Sequence, residues 1–173
     1  MEPLYSIVSA RPHDLRLLPA IEKAAAMLLT GHAPALVLGE TTGEQEFRDA
    51  QRQGRLWVAL AGDTPVGFAL AELLGRHAAH LKEIDVHPDH GQRGLGTQLV
   101  AAVCRWATRC GYREISLTTF RDVRWNMPFY ARLGFEVVPT GKLSTELVAV
   151  VQDETRRGLD PRRRVVMSYR SAV

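Results

Sequence analysis

Cysteine is scarce in this 173-residue chain: Cys104 and Cys110 are the only two. On helix-patterned sequence a separation of six residues turns them to very different azimuths. That argues against a disulfide or a shared metal, and both read as small core or boundary residues. No stretch approaches the roughly 18 consecutive apolar residues that cross a bilayer. The opening Met1–Ser6 lacks the basic-then-apolar pattern of a secretory signal and runs into strand-like sequence. A cytoplasmic protein with no membrane partner is the expectation. Charge of one sign is also lacking, the net value being only +3. Much of that excess sits in Arg156, Arg157, Arg162, Arg163, Arg164 and Arg170. This cluster carries a single tyrosine and no nucleic-acid reading motif, so a solvated basic face is expected rather than a nucleic-acid partner. There is no repeat, linker or low-complexity tract.

What is present suits one domain over residues 1–173. A chain that is 46% hydrophobic and 24% charged has the composition of a globular protein, and its length buries a core without staples. Tyr5–Arg11 predicts a first strand, ended by Pro12. Asp14–Leu29 has helical periodicity, with Pro19 marking a kink or a late start. His32–Leu38 is ambiguous. Thr42 followed by Gln45 has the spacing of a capping box for a short helix to Gln53. Leu56–Ala61 and Val66–Leu74 predict a hairpin about Gly62-Asp63, and Leu81–Val86 the next strand. Leu95–Cys110 is the clearest helix, with Leu95, Leu99, Val103, Trp106 and Cys110 along one face and Gly111 as its C-terminal cap. Ile115–Thr119, Phe135–Val138 and Arg164–Tyr169 predict further strands. Trp125–Leu133 and Ser144–Arg157 predict helices. The order implies an α+β domain with one mixed sheet and helices packed on it.

The strongest chemical signal is Val86-His87-Pro88-Asp89-His90-Gly91-Gln92-Arg93-Gly94-Leu95-Gly96. A strand ends, a turn with three glycines follows, and the long helix opens directly from it. Such a turn aims backbone N–H groups at one point, and the helix start adds partial positive charge. Gly91, Gln92, Arg93, Gly94, Leu95, Gly96 and Thr97 therefore form a candidate cradle for phosphate or pyrophosphate. Arg93 supplies a charge-assisted contact. The alternative is an ordinary strand-to-helix turn. A dinucleotide fingerprint does not fit, because its third glycine would stand where Leu99 is, and no Gly-Lys-Ser/Thr follows to make a P-loop.

Asn126-Met127-Pro128-Phe129-Tyr130-Ala131-Arg132-Leu133-Gly134-Phe135 is the second signal. Tyr130 can donate a proton to a leaving group, or simply pack at a helix–sheet boundary. On the strand before the glycine turn, Leu81, Glu83 and Asp85 alternate onto one face and Ile84 and Val86 onto the other. Two carboxyls at i, i+2 raise one another's pKa, which poises a base nearer neutrality. Glu83 is the favoured base, with Asp85 as its neighbour; surface or ion-paired carboxylates are the alternative. His77, His80, His87 and His90 form two H-x-x-H pairs, but odd spacing on a strand sends partners to opposite faces. No metal site is expected.

Together the glycine turn and Tyr130-Ala131-Arg132-Leu133-Gly134-Phe135 resemble two motifs of the GNAT superfamily of acyl-CoA N-acyltransferases. These are its [Q/R]-x-x-G-x-[G/A] pyrophosphate loop and its Y-x-x-L-G-F segment. The resemblance covers about residues 5–170 and lies in the order of the motifs. It implies the GNAT fold, acetyl-CoA as donor, and a primary amine of a small molecule or peptide as acceptor. It implies that the Val86 N–H polarises the thioester carbonyl, that Tyr130 protonates the departing thiolate, and that a glutamate on this strand serves as base. A homodimer is compatible with it. Two departures stand out. Gly91 occupies the first loop position, where the family has Gln or Arg. The family's asparagine seven residues before the tyrosine is replaced by Val123, with Asn126 the nearest substitute on the cofactor side. The Ser144–Arg157 helix is an addition to the minimal fold. The alternative function is a non-catalytic acyl-CoA-binding domain of the same fold.

Overall fold

A computed structural model describes residues 4–170, so the ends of the 1–173 span, including the first residues of Met1–Ser6, lie outside the described residues. Seven strands form one sheet: β1 (Tyr5–Ser9), β2 (Leu56–Ala61), β3 (Thr64–Leu74), β4 (Ala78–Val86), β5 (Glu114–Phe120), β6 (Glu136–Val137) and β7 (Arg164–Arg170). Their order is β1-β2-β3-β4-β5-β7-β6. All neighbouring pairs are antiparallel except β4 with β5. The helices are α1 (Leu18–Ala26), α2 (Ala35–Gly39), α3 (Glu44–Arg52), α4 (Leu95–Arg109), α5 (Met127–Arg132) and α6 (Thr145–Arg156).

Pro19 stands in the first turn of α1, where its missing N–H costs nothing. The periodic run from Asp14 therefore starts its helix late, flanked by short 3-10 turns. The ambiguous stretch resolves into α2. The capping box at Thr42 does not form. Gly43 stands at the N-terminus of α3 without a side-chain cap. Thr42 instead donates its N–H and hydroxyl to the Glu22 carboxylate on α1. Trp125 lies outside α5, which begins at Met127 after Asn126.

The sheet buries both faces. Leu95, Leu99, Val103 and Trp106 of α4 pack with Trp57, Ala69, Leu81, Ile115, Leu117 and Met167 on one face, and Phe129 and Tyr130 of α5 join this core. On the other face Leu18 and Ile21 of α1 and Phe47 and Ala50 of α3 cover Val58, Phe68 and Leu70. Farther along that second face lies α6. Its Ser144 cap accepts from Leu147 N–H at 3.2 Å, and its Glu154 bonds Thr118 and Arg164.

Strand β4 departs from regular pleating in two ways. Leu70 pairs with Glu83 but Ala71 pairs with Leu81, so Lys82 is an extra residue, a β-bulge. The alternation therefore changes phase. Leu81 lies with Ile84 and Val86 in the α4 core, not with Glu83 and Asp85 as strict alternation predicts. Glu83 and Asp85 stand opposite Leu70 and Phe68, on the α1–α3 face. Second, β4 pairs with β5 only at Ala79–Ile115 and His80–Ser116, and the two parallel strands diverge beyond. His87 N–H bonds Val66 carbonyl. By alternation the N–H groups of Val86 and Ile84 then point away from β3, into the gap that the divergence opens.

Gly67 faces Val86 across this edge. A Cβ there would meet Asp85 carbonyl oxygen at 2.9 Å and Val86 Cγ2 at 3.2 Å. We expect Gly67→Ala to push β4 outward and cost about 1–3 kcal/mol, the scale of overpacking a well-filled site. Urea denaturation measures it, and an unchanged midpoint would contradict the close approach.

Candidate active site

The glycine turn ends in an uncapped helix. Gly94, at φ +75° and with no side-chain cap, precedes α4, and Gln98 N–H makes a first helical bond to Gly94 carbonyl. The N–H groups of Leu95, Gly96 and Thr97 are left without helical partners. Gln92 also adopts a positive φ of 58°, so two left-handed residues fold the turn back on itself. Gln92, Arg93, Gly94 and Thr97 are exposed. Arg93 lies over the Tyr5 ring at 5.8 Å, and Tyr5 hydroxyl bonds His90 Nδ1 at 3.0 Å. Gly91 closes a short 3-10 turn at Pro88–His90. Gly96 is where α4 meets α5: an added Cβ would lie 3.4 Å from Phe129 Cζ. That contact brings the Tyr130 helix beside the turn. Asn126 stands at the start of α5, where its carbonyl accepts from Phe129 N–H and Tyr130 N–H, and its side chain caps nothing.

The carboxyls gather on the opposite side of the gap. One oxygen each from Glu22, Glu83 and Asp85 lies within 4.8 Å of the others. Burial, then the charge of Glu22, push Glu83 up to about 7. Burial and the neighbouring Glu83 and Glu22 charges hold Asp85 well above the carboxylate range. The two carboxyls act on each other, so the pair holds a proton to higher pH than either carboxyl would alone. Asp85 Oδ2 is buried with no hydrogen-bond partner among the described residues. Tyr130 belongs to the same electrostatic unit. Burial first, then the charges of Glu83 and Asp85, raise its phenol above the ordinary range, so it stays protonated at neutral pH.

Two groups that sequence reasoning missed complete the floor. Glu22 is buried on α1, with no apolar-to-acidic pattern in the sequence to mark it. Arg164 is no part of a solvated basic face. Its side chain is 12% exposed, and it binds Glu154 and the Thr118 hydroxyl. Arg157 pairs with Glu40, Arg162 with Asp160 and Arg163 with Asp122, so much of the arginine cluster is spent within the fold. Only His80 of the four histidines on or near this strand is buried. It bonds Ser116 Oγ at 2.8 Å, and burial lowers it to about 4. Among the described residues no histidine joins a cluster with metal-ligand geometry. Both cysteines are free; Cys104 is half-buried, and Cys110, at the end of α4, is exposed rather than on its apolar face. Among the described residues no helix is long and apolar enough to cross a membrane.

The pair carries a stability cost with a definite sign. The pKa of Glu83 is raised in the folded state. The folded protein therefore holds a proton that the unfolded chain has lost between about pH 4.5 and 7, and stability falls as pH rises through that window. Glu83→Gln, a lasting mimic of the protonated acid, should melt at least about 2 °C above the unmodified protein at pH 8.5 and close to it at pH 5. Equal melting at both pH values in thermal scans would contradict a half-buried, titrating Glu83.

Comparison with known proteins places the fold and the family. The model of the acetyltransferase (GNAT) family matches residues 27–135, more than half of the chain. Among curated relatives, the aminoglycoside N(6')-acetyltransferase type 1 of Salmonella typhimurium is 34% identical over 90 residues. That alignment covers 46% of this chain and 61% of the relative. Among solved structures, the PaiA N-acetyltransferase of Thermoplasma acidophilum in complex with coenzyme A superposes with a TM-score of 0.76 at 15% identity, covering 97% of this chain and 99% of that one. The N-acetylglutamate synthase of Neisseria gonorrhoeae, complexed with coenzyme A and N-acetyl-glutamate, gives 0.72 at 15% identity over all of this chain and 36% of that one. At such identities these likenesses establish the fold. With the family match spanning the glycine turn, the carboxyl pair and Tyr130, the chain belongs to the acetyltransferase (GNAT) family.

Proposed function

We propose that this chain, read as one domain, is an acetyl-CoA-dependent N-acetyltransferase that moves the acetyl group directly to a primary amine. The observation that carries this reading is the juxtaposition at the β4–β5 gap. By alternation the Val86 N–H faces away from β3 along one edge of the gap, and a carboxyl pair that holds a proton well above the ordinary carboxylate range lies beside it. The N–H groups of Leu95, Gly96 and Thr97, with Arg93, hold the donor's pyrophosphate. Bound acetyl-CoA supplies an activated acyl group and a thiolate leaving group. Val86 N–H donates to the carbonyl oxygen as negative charge develops on it. Glu83 takes the proton that the attacking amine must lose. The new C–N bond forms as the C–S bond breaks, and Tyr130 hydroxyl donates to the departing sulphur. Once Glu83 is protonated, one of the charges that hold the Tyr130 phenol up is gone, so use of the base strengthens the acid.

The acceptor we favour is a small cationic amine. Glu22, Glu83 and Asp85 sit at the site, and Glu46 and Glu72 lie around Lys82 at its margin, an excess of negative charge that attracts ammonium groups. The curated relative whose name specifies an aminoglycoside points the same way. A non-catalytic acyl-CoA-binding role would leave a titrating, half-buried carboxyl pair without purpose.

Thiol release from acetyl-CoA with a panel of amines tests the reading. Glu83→Gln should lower turnover by roughly 10²-fold, the scale for a lost general base. If Asp85→Asn has that effect and Glu83→Gln does not, the roles are reversed. Thiol release with no amine in the panel would instead support the binding-only role.

Tyr130→Phe should keep acetyl-CoA affinity and lose about 10- to 10²-fold in turnover; full activity would make the tyrosine structural. Gly96→Val, driven against Phe129, should raise the acetyl-CoA dissociation constant at least about tenfold, roughly 1.4 kcal/mol. Unchanged affinity in a folded variant would remove the turn from the donor site.

A further inference from the structure

Glu22 is the one carboxylate of the trio that the proposed reaction does not use. It is 9% exposed. Among the described residues its hydrogen-bond partners are the Thr42 N–H, at 3.0 and 2.9 Å from its two oxygens, and the Thr42 hydroxyl at 3.1 Å. Burial raises its pKa above the ordinary carboxylate value, and both Thr42 donors oppose this by favouring the ionised form. No lysine or arginine pairs with it among the described residues, whereas the neighbouring Glu46 is engaged by Lys82. A buried anion is thus fixed from two elements, α1 and the segment before α3, with one oxygen within 4.8 Å of the Glu83–Asp85 pair. An anchor for Thr42 alone would need no charge, since a glutamine carbonyl accepts the same bonds. Nor would it need to face two further carboxyls.

We propose that Glu22 is a positioning residue of the acid–base machinery, a buried carboxylate that Thr42 pins from the far side so that it faces the Glu83–Asp85 pair. The inference rests on Glu83 acting as base. A like charge held at this distance in a buried site disfavours a second carboxylate. The other charged and titratable groups around Glu83 are Asp85 on its own strand, Tyr130 on α5, Arg164 on β7 and Arg157 beyond α6. Glu46 on α3 and Lys82 on β4 act on Glu22 itself. The two arginines pull Glu83 toward the ionised form and are themselves paired with Glu154 and Glu40. Glu22 is the group that opposes them. An anion placed there keeps the base strong enough to take a proton from an ammonium acceptor, and it adds to the negative potential that the acceptor enters.

The test combines a readout free of activity with one that depends on it. Carbon-13 NMR titration of the Glu83 carboxyl in the free protein, and the pH dependence of acetyl transfer, are measured for the unmodified protein, Glu22→Gln and Thr42→Ala. Glu22→Gln should move the Glu83 titration and the acid limb of the rate profile at least about half a unit to lower pH. Thr42→Ala, which leaves the charge and the N–H donor but removes the hydroxyl bond, should move both in the same direction by less. An Glu83 titration that stays in place in folded Glu22→Gln overturns the proposal, and so does a loss of activity uniform across pH. If neither variant folds, Glu22 is a structural anchor and the proposal fails. Absence of acetyl transfer by the unmodified protein would strike the proposed function instead, and the NMR shift would still decide the electrostatic role of Glu22.

Discussion

The site depends on one irregularity in β4. Lys82 is an inserted residue between Leu81 and Glu83, and everything chemical follows from the change of phase that it causes. With regular pleating Glu83 and Asp85 would share the face of Leu81, among Leu95, Leu99 and Val103 of α4. Two carboxyls in that apolar layer would not meet Glu22. The bulge turns them to the α1–α3 face and leaves Ile84 and Val86 to keep the strand packed on the α4 core. It stands just beyond the last residues where β4 and β5 still pair. The strand thus changes phase and leaves its neighbour at nearly the same place, setting free backbone donors beside the displaced carboxyls.

Holding this arrangement costs stability, and the rest of the fold offsets the cost. Burial of Glu83 and Asp85 is unfavourable for their charged forms, and one oxygen of Asp85 has no partner among the described residues. The surroundings are closely packed and tied together. Gly67 lets β3 approach the Asp85–Val86 backbone closely. The buried Arg164–Glu154 pair ties β7 to α6, and Thr118 joins it from β5. His80 and Ser116 fasten β4 to β5 at the point where they part. A divergence clamped at its apex and braced on both outer sides can stay open without the strands closing on one another.

Much of this was legible in the sequence. The strands, α4, α5 and the glycine turn follow from hydrophobic period and from glycine placement. The local character of those signals explains why they can be read: each is contained in about ten consecutive residues. Tyr130 and the Glu83–Asp85 spacing were visible for the same reason. The bulge was not, because Leu81-Lys82-Glu83 looks like ordinary alternation and only the pairing with Leu70 and Ala71 reveals the extra residue. Nor was Glu22, which enters the site from a helix 61 residues upstream of Glu83 through tertiary packing alone. The Thr42–Gln45 spacing misled for a related reason. The carboxylate of Glu22 captures the Thr42 donors, and a tertiary partner outcompetes a local cap. Arg164 misled in turn because its neighbours in sequence are arginines, whereas its neighbour in space is Glu154.

The central claim is that the gap between β4 and β5 holds the acyl end of the donor, with the backbone of β4 on its carbonyl. A crystal structure of the protein with a stable thioether or ketone analogue of acetyl-CoA addresses it directly. The account predicts the acyl oxygen about 3 Å from Val86 N, the pyrophosphate on the N–H groups of Leu95–Thr97, and the acyl carbon reachable from the Glu83 side of the sheet. An acyl group lying outside the gap, or a β4–β5 ladder that closes beyond His80 when the donor binds, would contradict it.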